Sequence, residues 1–214
     1  MSKELTEKKF LKDVSKHHIK ILRDEGVNRH IRFKAPDTSD MYFDLITWEG
    51  GLTYTGDMGT YVFQRLPDMF NFFRTKPENH KGLHINTGYW GEKCVSTDRH
   101  NGIEEYSEDK TRLLIDTWVS DTVNDHPNTE DDFEQCLKDA VQSDIYDVAE
   151  MEFEFSVRRT VDDFEFEWEG HTYQIHDFWE YDLNEYSKRF VWCCYALAWG
   201  IQQYDNYTEV WVKQ

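Results

Sequence analysis

Basic side chains are scarce in this sequence. Its 24 Lys and Arg stand against 42 Asp and Glu, a formal charge of −18 over 214 residues. Binding a nucleic-acid backbone requires cations that displace counterions, so direct nucleic-acid binding is disfavoured from the outset. Cysteine is sparse as well. Cys94 and Cys136 are isolated, Cys193 and Cys194 are adjacent inside an apolar run, and there is no C-x-x-C. Neither a disulfide framework nor a zinc module fits such spacing. Long apolar runs are missing: the longest, Phe190 to Trp199, is ten residues, about half of what spans a bilayer. The opening residues, MSKELTEKKFLKD, lack the apolar stretch of a signal peptide. The expectation is a cytoplasmic protein with reduced thiols and no membrane partner, in which the Asn206-Tyr207-Thr208 sequon plays no part.

Catalytic motifs are missing too. There is no G-x-x-x-x-G-K-[ST] to cradle phosphates, no G-x-S-x-G elbow, no H-E-x-x-H and no zinc-deaminase signature. Gly56-x-x-Gly59 and Gly88-x-x-Gly91 read as turns. His80 and His84 have helical metal-ligand spacing, but the intervening Lys81-Gly82 opposes a helix. His171 and His176, five apart on a strand, would face opposite sides. Asp98 with Glu108-Asp109-Lys110 imitates the carboxylate–carboxylate–lysine set of metal-dependent nucleases. Acidic residues are dense enough for such a match by chance, and Lys110 falls near a helix start rather than on a strand. We assign no catalytic residue, no metal ligand and no cofactor.

Aromatic residues are plentiful: 8 Trp, 12 Tyr and 14 Phe, 16% of the chain. That much ring area excludes a disordered tail and supports a substantial core. Residues 3–16 predict a short charged helix. His18–Leu22, His30–Phe33, Met41–Trp48, Leu52–Thr55 and Thr60–Gln64 predict short strands, with Asp24-Glu25-Gly26 as a turn. Leu66-Pro67-Asp68 opens a helix to about Phe73, with Pro in its first turn, whose Phe70, Phe72 and Phe73 close over the sheet. Residues 76–103 read as a long irregular connection of the kind that carries function. A helix follows Ser107 and stops at Asp125-His126-Pro127-Asn128. A second, capped by Thr129, places Phe133, Cys136, Leu137, Ala140 and Val141 on one face. Phe164, Phe166 and Trp168 alternate with acids up to Glu169-Gly170, and Tyr173 and Ile175 return, a hairpin with one wet face. Asp182 and Glu185 read as a capping box for a last helix over 183–203, apolar nearly all round. The expected fold is α+β: an antiparallel sheet packed against several helices, with a buried C-terminal helix. It is expected to form one domain over 1–214, subdivided at most into 1–100, 101–170 and 171–214.

The charge is unevenly placed. Residues 1–100 net +2, residues 101–170 net −17 with 22 acids against 5 bases, and residues 171–214 net −3. An acidic surface of this kind either aids solubility or presents charge much as DNA phosphates do, occupying the basic groove of a nucleic-acid-binding protein. The candidate partner-binding residues are Glu104, Glu105, Glu108, Asp109, Glu130, Asp131, Glu134 and Asp139. The same unevenness favours contacts between copies, a homo-oligomer, which the total charge of −18 opposes at long range.

HIRFKAPDTS (30–39), FDLITWEGGLTYTGDMGTYVFQRLPDMFNFFR (43–74) and FVWCCYALAWGIQQYD (190–205) resemble an uncharacterised family of hypothetical proteins encoded by tailed bacteriophages and enterobacterial prophages. The acidic middle, about 101–165, lies outside that resemblance. What it implies is a phage accessory protein in the bacterial cytoplasm that binds and inhibits a host factor. The expected target is a defence complex of CRISPR or restriction type, or another nucleic-acid-binding protein. The alternatives are a metal-dependent nuclease or nucleotide-acting enzyme, and a nucleotide-sequestering protein using the 76–103 segment.

Overall fold

Short β-rich runs in the first third of the chain, joined by a later sixth strand, form a six-stranded antiparallel sheet of order β1-β2-β3-β4-β5-β6. The strands are β1 (His18–Glu25), β2 (Asn28–Lys34), β3 (Phe43–Trp48), β4 (Gly51–Gly56), β5 (Gly59–Gln64) and β6 (Cys94–Thr97). The computed structural model describes residues 5–74, 82–126 and 132–212. These fall into two compact units, 5–104 with 186–212 and 105–185. The expected α+β class, with its antiparallel sheet and C-terminal helix, is what the chain adopts. No helix among the described residues is long and apolar enough to cross a membrane.

In the sheet unit the register sets Ile21, Ile31, Leu45, Tyr54 and Tyr61 in one cross-strand row, and Lys20, Arg32, Asp44, Thr55 and Thr60 in the next. The first row belongs to the core and the second faces outward, as the pleat requires. Helix α7 (Lys188–Val212) brings Phe190, Trp192, Cys193, Cys194, Ala196, Leu197 and Ile201 into that core, all essentially inaccessible. Trp192 meets Phe43 at 5.7 Å and Trp199 meets Phe33 at 5.4 Å. Burying each such side chain contributes roughly 1.5–3 kcal/mol. Gly200 permits the close approach: a Cβ there would stand 3.1 Å from Leu45 Cδ1 and 3.1 Å from Phe33 Cε2. Helix α1 (Glu7–Asp13), capped by Thr6, contributes Phe10 against Trp192 at 5.0 Å.

Two acids of this unit, Asp68 and Asp44, are held by cations of neighbouring elements. Arg29, 9% exposed, grips Asp68 with two hydrogen bonds of 2.9 and 3.0 Å. Its guanidinium also lies over Phe70 (4.7 Å) and Tyr204 (5.6 Å), tying β2 to α2 (Met69–Phe73) and α7. On the outer sheet face Asp44 is covered by a bidentate Arg32 and by His30 Nε2 at 2.9 Å. Burial alone would raise the Asp44 and Asp68 carboxyls, but these cations bring both below the ordinary carboxylate value.

Several elements differ from the sequence expectation. Helix α1 is shorter than 3–16, although residues 1–4 lie outside the described set. Asp68 caps α2 through Phe70 N, so Pro67 precedes the helix instead of sitting in its first turn. The presumed irregular connection contains a helix, α3 (Thr87–Gly91), capped by Asn86, and the sheet's sixth strand. Gly88 and Gly91 therefore lie in a helix. The Asp182/Glu185 capping box does not form: Asn184–Tyr186 is strand β10, which pairs with β7 (Glu104–Tyr106). Ser187 caps α7 instead, its Oγ accepting from Phe190 N at 3.2 Å.

Two stability predictions follow from this packing. Gly200→Val should destabilise the protein by about 1–3 kcal/mol through overpacking, read as a lower urea midpoint with an unchanged denaturant slope. Because Asp44 and Asp68 titrate below their unfolded values, the stability they contribute is present above about pH 4 and lost as pH falls through the depressed values. Asp44→Asn should lower the urea midpoint at pH 7 and flatten its decline between about pH 4 and pH 2.

Candidate protein-interaction surface

The acidic unit is built from amphipathic helices whose carboxylates have nowhere to go but outward. Helix α4 (Glu108–Asp125) starts at Ser107, whose Oγ accepts from Lys110 N, and buries Thr111, Ile115 and Val119. Helix α5 (Phe133–Val141) buries Phe133, Leu137 and Val141, and runs into a π-helical turn, Gln142–Tyr146. Helix α6 (Glu154–Asp162) buries Val157, Arg158 and Val161. The hairpin β8 (Phe166–Trp168) and β9 (His171–Tyr173) packs Phe166, Trp168 and Tyr173 around Phe133 at 5.1–5.9 Å. Its two-residue turn has Glu169 and Gly170 both at positive φ, the conformation that favours Gly and fits the hairpin twist.

Residues 105–185 carry 25 acidic and 5 basic side chains, net −20, so the remaining 17 acids and 19 bases net +2. Each of the five cations is already bound within the unit. Lys110 donates to Asp182 (2.9 Å) and to the Asn184 carbonyl (2.8 Å). Arg112 pairs with Glu108 and Lys138 with Glu134, both at i,i+4, and Arg159 lies 4.0 Å from Asp163. Arg158 binds Glu154 and donates to the carbonyls of Phe178 and Tyr181 at 2.8 and 2.9 Å.

The eight residues singled out from the sequence do not form one uniform cluster. Glu104 and Glu105 are exposed on β7, with Glu104 grouping with the sheet unit. Glu108 and Glu134 are engaged by cations, Asp139 accepts from Gln135, and Asp109 is exposed in the first turn of α4. Glu130 and Asp131, and the expected Thr129 cap, lie outside the described residues; the described helix begins after Asp132. Sequence reasoning missed α6 altogether, and with it four exposed rings: Phe153, Phe155, Trp179 and Tyr181. The legible signal was that Val157, Val161 and Phe164 form an i, i+4, i+7 stripe from which Phe155 is excluded.

The groups considered for catalysis are occupied otherwise. Asp98 accepts from Thr60 N, His100 N and Asn101 Nδ2, and these bonds, the Asn101 amide foremost, lower its carboxyl. Lys110 is held by Asp182 and Asn184 within the acidic unit. His80 lies outside the described residues. Among the described residues no three His, Cys, Asp or Glu side chains are grouped to hold a metal. An open groove of about 470 Å³, lined by Asp144, Val148, Arg159, Thr160, Asp163, Phe164 and Glu165, offers carboxylates and one guanidinium. Its Thr160 hydroxyl donates to the Ser156 carbonyl.

A unit of net −20 folds against its own repulsion. Raising ionic strength from about 0.01 to 0.1 M, which shortens the screening length from roughly 30 to 10 Å, should therefore stabilise residues 105–185 more than the sheet unit. Amide hydrogen exchange checks this: protection in α5 and α6 should rise with salt while protection in β3 and β4 stays flat.

No family model, curated protein or solved structure matches this chain, so its charge, packing and exposed side chains are the grounds on which its function is judged.

Proposed function

We propose that this is a phage-encoded accessory protein that binds and inhibits a host factor, a bacterial defence complex of CRISPR or restriction type, in the host cytoplasm. The observation that carries this reading is the segregation of charge. One unit holds a net −20, and all five of its cations are consumed by internal partners, which leaves that field for an external one. A protein evolved to grip nucleic acid offers a basic groove, and a carboxylate-rich body is drawn to it by the forces that bring phosphates there. The phage part of the reading rests on the resemblance of residues 30–39, 43–74 and 190–205 described above.

Reversing the charge of Glu130, Asp131, Glu134 and Asp139 together tests the proposal. Glu134 is exposed and its pair with Lys138 is a surface contact, worth about 0–1 kcal/mol, so far-UV circular dichroism and the melting temperature should change little. Tagged wild-type protein should retain a host nucleic-acid-binding protein at low salt and release it at high salt. In cells it should restore plating of a phage that the host's defence restricts. The reversed variant should do neither. Equal capture and equal plating by both proteins would overturn the acidic-face reading.

A further inference from the structure

Four large rings of the acidic unit remain in solvent: Phe155 is 70% exposed, Phe153 56%, Trp179 51% and Tyr181 46%. They are held in place and do not trail from a loose segment. Phe153 forms the N-terminal boundary of α6, and its carbonyl accepts from Val157 N. Phe155 lies three residues before Arg158, on the same flank of that helix. Trp179 belongs to a 3₁₀ turn, Phe178–Glu180, and Tyr181 follows it. Arg158 fixes that turn to α6 by donating to the carbonyls on both sides of Trp179–Glu180, and its guanidinium carbon stands 5.7 Å from the Trp179 ring centre. The segments that carry the rings also carry Glu150, Glu152, Glu180 and Asp182, all exposed.

Exposed rings within a carboxylate-rich surface suit one chemistry in particular. A guanidinium stacks flat on an indole or phenyl face while its edge donates two hydrogen bonds to a carboxylate, whereas an ammonium is a compact, strongly hydrated charge that does this less well. Arg158 brings the same three groups together inside the protein: its Nε donates to Glu154, and its guanidinium carbon stands 5.7 Å from the Trp179 ring centre. Half of Trp179 is left uncovered for a second cation. Lipid is a poor match, because anionic headgroups would meet a body of net −20.

We propose that Phe153, Phe155, Trp179 and Tyr181, with the neighbouring carboxylates, form the docking site for an arginine-rich segment of a protein partner. This rests on the reading that the acidic unit meets a cationic protein, and it names the chemistry of that contact. The carboxylates supply attraction at a distance. The rings supply the desolvated centre where binding energy concentrates, in the residue types that most often serve as interface hot spots.

Titration of the full chain with nona-arginine and with nona-lysine peptides at about 0.15 M salt tests this, by calorimetry and tryptophan fluorescence. Nona-arginine should bind about fivefold or more tightly than nona-lysine. Trp179→Ala and Phe155→Ala should each weaken nona-arginine about fivefold without altering the salt dependence, and Trp179→Phe should restore most of the loss. Unchanged circular dichroism in these variants confirms that exposed positions were altered. Equal affinities for the two peptides, or nona-arginine affinity unchanged in the Trp179→Ala, Phe155→Ala double variant, would overturn the proposal. Self-association that vanishes in Trp179→Ala would also overturn it, by putting a second copy on the rings. Loss of the host partner on charge reversal at Glu134 and Asp139, with full retention in the ring variants, would leave the inhibitor reading standing and sink this site. Ring-dependent arginine binding with no host partner would do the reverse.

Discussion

Arg158 is 8% exposed in a unit that has five cations and twenty-five carboxylates, and much of that unit's order passes through its guanidinium. Its Nε donates to Glu154, and its two terminal nitrogens donate to the carbonyls of Phe178 and Tyr181. A charge buried to that degree is tolerated only when its hydrogens are satisfied. Here the partners are one carboxylate and two main-chain carbonyls, so the same bonds that stabilise the charge also fix the 3₁₀ turn to α6. A neutral replacement would leave those carbonyls without a donor, at a cost of roughly 1–3 kcal/mol for each one kept from water. The acidic unit thus uses its rarest resource, positive charge, to hold an aromatic segment in position.

The two units solve the problem of charge in opposite ways. The sheet unit is close to neutral and uses some of its ions between elements: Arg29 with Asp68 beside Phe70 and Tyr204, and Asp44 with Arg32 and His30 on the outer sheet face. Arg29 ties β2 to the distant α2 and α7, and Asp44 clamps the neighbouring strands β2 and β3, so charge there serves architecture. In the acidic unit three of the five cations pair at i,i+4 on the surface of a single helix: Arg112, Lys138 and Arg159. Such pairs contribute about 0.3–0.5 kcal/mol each and cannot offset the repulsion around them. Stability must come instead from the ring cluster around Phe133 and from the stripes of α4, α5 and α6. A fold arranged in this way carries its surface charge at a cost, which is the physical reason to look for a use of that charge beyond solubility.

The legible parts of the fold were those with a strong, simple period. Strands β2 and β5 alternate in burial, glycines punctuate β4 and β5, and α7 is apolar over most of its circumference, so these could be read from residues alone. The hairpin at Glu169-Gly170 was legible through its turn chemistry. What escaped had weak local signals overridden by tertiary context. Strand β6 is four residues with only Cys94 half-buried, so no alternation marks it; its pairing with Tyr61 and Val62 defines it. Asp182 and Glu185 satisfy the letter of a capping box, yet the main chain at 184–186 is recruited into a strand and the cap passes to Ser187. Helix α6 was hidden because the residues across its start, Glu152 to Phe155, alternate acid and ring as a strand would. The candidate surface was half legible: composition located the acidic segment, but only tertiary structure separates carboxylates held by Arg112 or Lys138 from those facing solvent.

Net charge and exposed rings act on different stages of an encounter, and this chain carries both on one unit. Unpaired carboxylates shape a long-range field that raises the rate of approach of a cationic body, an effect that salt removes. They do little to hold it, since exposed ion pairs contribute under about 1 kcal/mol each. A polyanionic surface alone would therefore bind many basic proteins loosely and none selectively. Rings fixed at Phe155, Trp179 and Tyr181 change that balance, because apolar contact and stacking depend on shape and survive screening. They also explain why the unit exposes aromatic area that its own core, already dense around Phe133, does not use. For a basic partner of the kind proposed, discrimination would rest with the rings and speed of association with the acids, a division of labour that neither feature could supply alone.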